Sequence, residues 1–257
     1  MAEHFYGARH TVHFSTGATW SLFNALIKIA ENAPSPSEEH AHVVAFLNSR
    51  LMPRIEGGNG FSLHPPPKEL QSPKKLIALA KLVGAFAHEL ARPDPDERLT
   101  DINWDRDQRL DWLARMCDLH ALIIEALPPE AKTQPMNLRL SPADDLRCTL
   151  ERRLSRKGEL VRRTRSRKEP RGHIRLADSS ETIPLLEDIC SLVESSDIPE
   201  PRRSYLLCEQ HSDLAEIFVE QKDTERAVAC LKTAAEFSDD EECRQAILEY
   251  AASFESD

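Results

Sequence analysis

The sequence predicts an all-α protein, an antiparallel helix bundle followed by a repeat-like helical layer. Three observations point there. Apolar residues recur at three- and four-residue intervals through stretches rich in Leu, Ala, Glu and Arg, all strong helix formers. Gly is scarce, at 8 of 257 residues, while Pro numbers 17. That balance suits helices punctuated by proline better than strands joined at glycine turns. Serine–proline pairs stand where helices would begin. In Ser35-Pro36-Ser37-Glu38 and Ser141-Pro142-Ala143-Asp144 the serine oxygen can accept from a free amide of the first turn. Proline then sits where its missing N–H is not needed. Ser72-Pro73 has the cap and the proline, with lysines next.

A first helix is expected from about Ala18 to Asn32, with Trp20, Phe23, Leu26, Ile27 and Ala30 on its inner face. A second runs from Pro36 to about Met52, where Pro53 ends it. Gly57-Gly58-Asn59-Gly60 and Pro65-Pro66-Pro67 frame an irregular loop. The third, Pro73 to Ala91, carries Leu76, Leu79, Ala80, Val83, Phe86, Ala87 and Leu90 and should be the buried centre of the bundle. A fourth spans about Trp104 to Leu127, with Leu110, Leu113, Met116, Cys117, His120, Ile123 and Ile124 inward. Short loops between long amphipathic helices imply antiparallel neighbours, so residues 1–130 read as a four-helix bundle. His10-Thr11-Val12-His13-Phe14 alternates like a strand, but no partner run is evident, and it reads as an extended arm.

Residues 131–180 read as one helix, from Pro142 to about Lys157 with Gly158 as its stop, and then a basic linker or arm. From Arg147 to Arg175 there are twelve Lys/Arg and three Glu, a net +9. The whole chain carries −10, so the remainder carries about −19. Arg152, Arg153, Arg156, Lys157, Arg162, Arg163, Arg165, Arg167, Lys168 and Arg171 are the candidate binding residues of this arm. They could track phosphates in a salt-dependent, sequence-tolerant way. Against that, no aromatic residue is interleaved for base stacking, and the acidic remainder would repel nucleic acid. The arm could equally lie on an acidic surface, the protein's own or a partner's.

Residues 181–257 read as a second helical region. A helix at about Ile183–Glu194 supplies Leu185, Leu186, Ile189, Leu192 and Val193. The segment HSDLAEIFVEQKDTERAVACLKTAAEFSDD follows. Leu214 with Ala215, Phe218, Ala227, Leu231 and Ala234 fall where small residues let two helices approach and large ones fill the space beside them. In that spacing residues 204–254 resemble a tetratricopeptide repeat. The resemblance implies a helical hairpin that turns at Lys222-Asp223-Thr224 and a surface for holding peptides or partner helices. His211, Lys222 and Asp239 stand where the family has tryptophan, a turn glycine and a terminal proline. Ser238-Asp239-Asp240-Glu241 is a capping box for a final helix, with Ala246, Ile247, Tyr250 and Phe254 expected inward.

No phosphate-loop, dinucleotide, nucleophile-elbow or H-E-x-x-H pattern is present. His88-Glu89-Leu90-Ala91-Arg92 has Arg92 where a zinc motif needs its second histidine. His40 and His42 point to different sides of a helix, and His10 and His13 have no other ligand beside them. His120 reads as a core histidine. Asp94, Asp96, Asp101, Asp105 and Asp107 lack the glycine that turns a calcium loop, and read as loop and helix-start acids. No cofactor, metal or catalytic residue is therefore expected.

The six cysteines form no C-x-x-C pair and read as reduced thiols of a cytoplasmic protein. No apolar run of about 18 residues predicts a membrane span, and MAEHFYGARHTVHFSTG shows no secretory leader. These features lead to a non-enzymatic protein-interaction module that binds a partner protein through its acidic helical surface. It would be an adaptor, or an immunity-type inhibitor that plugs a basic toxin such as a nuclease. The alternative is a nucleic-acid-binding regulator using the basic segment 147–175.

Overall fold

The structure is a computed structural model. It describes residues 2–7, 11–33, 37–51, 61–95, 105–132, 136–165 and 179–254. The fold is all-α. Among the described residues there are nine α-helices, two single turns of 3₁₀ helix and one two-stranded hairpin. They group into two compact units, Met1–Ser141 and Pro142–Asp257.

In the first unit the expected extended arm is paired. Strand β1 (Ala2–Tyr6) runs antiparallel to β2 (Thr11–Ser15), with Phe5 opposite Val12 and His4 opposite His13. Phe5, Val12 and Phe14 are buried, so the alternation of β2 reflects one apolar face that needs a cover. Of the possible His10–His13 pair, His10 lies outside the described residues.

Helix α1 (Thr16–Glu31) starts directly after β2, where the Ser15 hydroxyl accepts from the Ala18 amide at 3.1 Å. Leu22, Phe23, Leu26, Ile27 and Ala30 are buried, but Trp20, expected inward, is 52% exposed. The neighbouring Thr19 is fully buried instead, its hydroxyl donating to the Ser15 carbonyl. Helix α2 (Glu38–Leu51) is capped by Ser37, whose hydroxyl accepts from the His40 amide. The expected cap, Ser35, lies outside the described residues.

Helix α3 (Pro73–Leu90) packs on α1, on α2 and on α4 (Arg106–Glu125). All seven of its predicted inner residues are buried. Ser72 contributes its backbone carbonyl rather than its side chain to the first turn. Asp105 caps α4 by accepting from Gln108 at 2.7 Å. Cys117 and Ile124 are only half-buried, while Trp112, Leu119 and Leu122 join the core instead. The buried Arg109 donates to the carbonyls of Leu90 and Arg92, and so satisfies the C-terminal end of α3.

Aromatic rings seal this unit. Phe5 meets Phe14, Phe23 and Phe61 edge-on at 5.5, 6.1 and 5.1 Å between ring centres. Phe14 and Phe86 reach Trp112 at 5.6 and 6.2 Å.

In the second unit, α5 (Pro142–Arg165) runs through Gly158 instead of stopping there. The sequence reading grouped it with a connecting segment, but here it packs on α6 (Ser179–Ser195). Burial of Leu160, two residues beyond the glycine, rewards continuation. That outweighs glycine's helix penalty of about 1 kcal/mol. Helix α6 packs on α7 (Glu200–Glu220), α7 on α8 (Thr224–Glu236), and α8 on α9 (Glu241–Ser253).

Contacts fix the directions. Glu151 and Lys157 of α5 reach Arg202 and Asp213 of α7, so the two helices run parallel. Arg153 and Arg156 reach Asp188 and Glu181 of α6, so that pair runs antiparallel. Ala215 of α7 and Ala251 of α9 share one apolar cluster with Leu231 of α8. The unit is thus an alternating stack of two hairpins and a further helix. Leu150, Leu185, Ile189, Val193, Leu206 and Leu207 form one core, and Leu186, Leu214, Ile217, Phe218 and Ala227 the next.

At the α7–α8 turn Lys222 has φ 62°, the left-handed conformation that glycine favours. Asp223 caps α8 through the Arg226 amide. Helix α9 is capped by Asp240, which accepts from Glu242 and Cys243, and not by the predicted Ser238. Ser238 is buried and donates to the Asp240 carbonyl. Ala251 is the buried residue of α9, with Ile247 and Phe254 half-buried. Ala246 and Tyr250, expected inward, are exposed, Tyr250 by 48%.

Candidate interaction surface

The basic residues singled out in the sequence divide into three groups. Arg153 and Arg156 bind carboxylates of α6, at 2.6 Å to Asp188 and 2.5 Å to Glu181. Lys157 is nearly buried, with its ammonium 2.6 Å from Asp213 and 3.3 Å from Glu209 of α7. Arg152 is exposed. Arg162, Arg163 and Arg165 belong to the last turns of α5. Arg167, Lys168 and Arg171 lie outside the described residues. Arg153, Arg156 and Lys157 therefore help to hold the unit together, where the sequence read all ten residues as one arm.

The reason is visible on the α5 wheel. Arg147, with 1% of its surface exposed, has its guanidinium 3.8 Å from Glu151. Arg202 of α7 bonds the same carboxylate at 2.7 Å. Charges that deep must be paired. Burial raises the pKa of Asp213, opposed by the Lys157 ammonium beside it. No sequence signal marked Arg147 or Glu151 as buried, because on a wheel they resemble any solvated pair at i, i+4.

Arg147 and Lys157 are buried, and the unit as a whole, Pro142–Asp257, carries a net −8. Residues 179–254 hold eighteen Asp/Glu and six Lys/Arg, a net −12. Its large exposed apolar side chains are Tyr205 at 64%, Leu248 and Tyr250.

The residues weighed for chemistry are scattered. His120 is buried near the exposed His88 and against Gly84, and burial followed by the His88 charge lowers its pKa. Of the acidic stretch, Asp96 and Asp101 lie outside the described residues and Asp105 is a helix cap. His42 pairs with Glu38 at the start of α2. Among the described residues no group of three or more His, Cys, Asp or Glu is placed to hold a metal ion. None of the described helices is long and apolar enough to cross a membrane.

No protein-family model matches the chain, and neither a curated protein nor a solved structure matches it.

Proposed function

We propose that the chain is a non-enzymatic, cytoplasmic helical interaction module that binds a partner protein through its acidic helical surface. It acts as an adaptor or as an immunity-type inhibitor. One observation carries this reading: the second unit, Pro142–Asp257, keeps a net −8 with its α5 cations counted, several of them paired to carboxylates of α6 and α7. A surface of one sign steers an oppositely charged partner and disfavours like-charged ones. A basic protein, such as a nuclease toxin, is the matching class. The tetratricopeptide-like spacing of residues 204–254 agrees with a role in holding other chains.

The competing use of segment 147–175, as a nucleic-acid grip, loses Arg153, Arg156 and Lys157 to carboxylates. The test is capture of partners on the intact chain, beside heparin and DNA retention at two salt concentrations. A purified complex of defined stoichiometry, with cross-links on α6–α9, is expected. Steeply salt-dependent DNA retention that is lost on Arg162→Glu/Arg163→Glu substitution, with no protein complex, would overturn it.

A further inference from the structure

Gly84 lies in the middle of α3, where glycine weakens a helix relative to alanine. Its bare face is bordered by two donor atoms from elsewhere in the chain. The Met136 sulfur and His120 Nε2 lie 3.8 and 4.0 Å from the point where a Cβ would stand. The imidazole comes from α4 and the thioether from the chain that follows it. His120 is only 9% exposed, and neither of its ring nitrogens has a hydrogen-bond partner among the described residues. A buried imidazole left without a bond is costly unless something from outside the chain supplies one.

His88 stands one turn after Gly84 on the same face of α3. Side chains of a helix lean back over the turn before them, which directs its imidazole toward Gly84. It is exposed, makes no hydrogen bond among the described residues, and lies close enough for His120 to feel its charge. Two imidazoles and a thioether thus border one gap. The thioether decides the chemistry. Hard divalent ions call for carboxylate and carbonyl oxygens, which the set lacks. Structural zinc takes four ligands, and a thioether is not among its usual ones. A soft thioether beside imidazole nitrogen selects monovalent copper. The burial that keeps His120 neutral also leaves its ring free to act as a ligand.

We propose that His88, His120 and Met136 form a binding site for a Cu(I) ion on the bare face of Gly84. The ion bonds one nitrogen of each imidazole and the Met136 sulfur, and so ties the chain after α4 to α3. The site belongs to the first unit and is independent of the interaction-module reading.

The chain has four methionines, so the intact protein carrying carbon-13 in its methionine methyl groups gives four methyl signals. Cu(I) is added without oxygen in the presence of ascorbate. The expected result is a shift of the one signal that Met136→Leu removes, complete at one equivalent of metal. In competition with a chromophoric Cu(I) chelator, Met136→Leu and His88→Ala each weaken binding at least about tenfold. His88 is exposed and leucine matches methionine in size, so far-UV circular dichroism of both variants should match the wild type. His120→Gln should weaken binding as well, and should it misfold the other two variants decide. Methionine signals that stay in place while the cysteines take the ion overturn the site, as does movement of a different methionine. His88→Ala protein that binds Cu(I) as tightly as the wild type overturns it too.

Discussion

The two units bury different chemistry. The first closes around rings: Phe5, Phe14, Phe23, Phe61, Phe86 and Trp112 interlock, and its one deeply placed cation in α4, Arg109, caps a helix. The second stacks helices on leucine and alanine seams. It buries Arg147, Glu151 and Lys157 among them and leaves Tyr205 and Tyr250 outside. Ring packing makes a sealed body. Ion-paired helix stacking takes Arg147, Glu151 and Lys157 inside, and the second unit is the more acidic of the two, at net −8 over Pro142–Asp257 against −2 over Met1–Ser141.

The sharpest way to break this contrast is to remove a ring. Phe61→Ala opens a cavity where Phe5, Phe23 and Phe46 meet. It should cost about 3–5 kcal/mol in urea denaturation, whereas a loss under about 1 kcal/mol would mean that the rings do not seal the unit. Next comes Glu151→Leu, which strips the carboxylate shared by Arg147 and Arg202. A loss of roughly 3 kcal/mol is expected by the same measurement. A neutral outcome would show the cations to be solvated.

Lys222→Gly sharpens the comparison in the opposite direction. It relieves the left-handed backbone at the α7–α8 turn and should stabilise by about 1 kcal/mol. A destabilised variant would mean that the lysine side chain itself holds the turn. The smallest effect is a pH response. His120 is held neutral by burial, so the unfolded chain takes up its proton more readily. Stability should therefore fall as the pH drops below 6.5, the ordinary histidine value. His120→Gln should flatten that part of the melting profile, and an unchanged slope would reassign it to another group.

Much of this fold is legible in the order of residues. Helix α3 stands out because it is apolar on two sides, and the α7–α8 hairpin because Ala215 and Ala227 alternate with Phe218 and Leu231. What escapes notice depends on distant partners. Strand β1 buries Phe5, and its pairing is visible only once Phe61 is seen to lie against that ring. The passage of α5 through Gly158 depends on Leu160 and on carboxylates 25 to 52 positions away, Glu181 from Arg156 and Glu209 from Lys157. Tyr250 looks inward on a wheel because periodicity reveals a face but not whether a neighbour exists to cover it. Ala246 and Tyr250 were for that reason read as inward-facing.

Hydrogen–deuterium exchange on the intact chain, alone and bound to its purified protein partner, is the most direct test of the acidic helical surface as the contact site. The account predicts slowed exchange concentrated in α6–α9, with α1–α4 unchanged. Protection confined to α1–α4, or to α5 on adding nucleic acid alone, would contradict it.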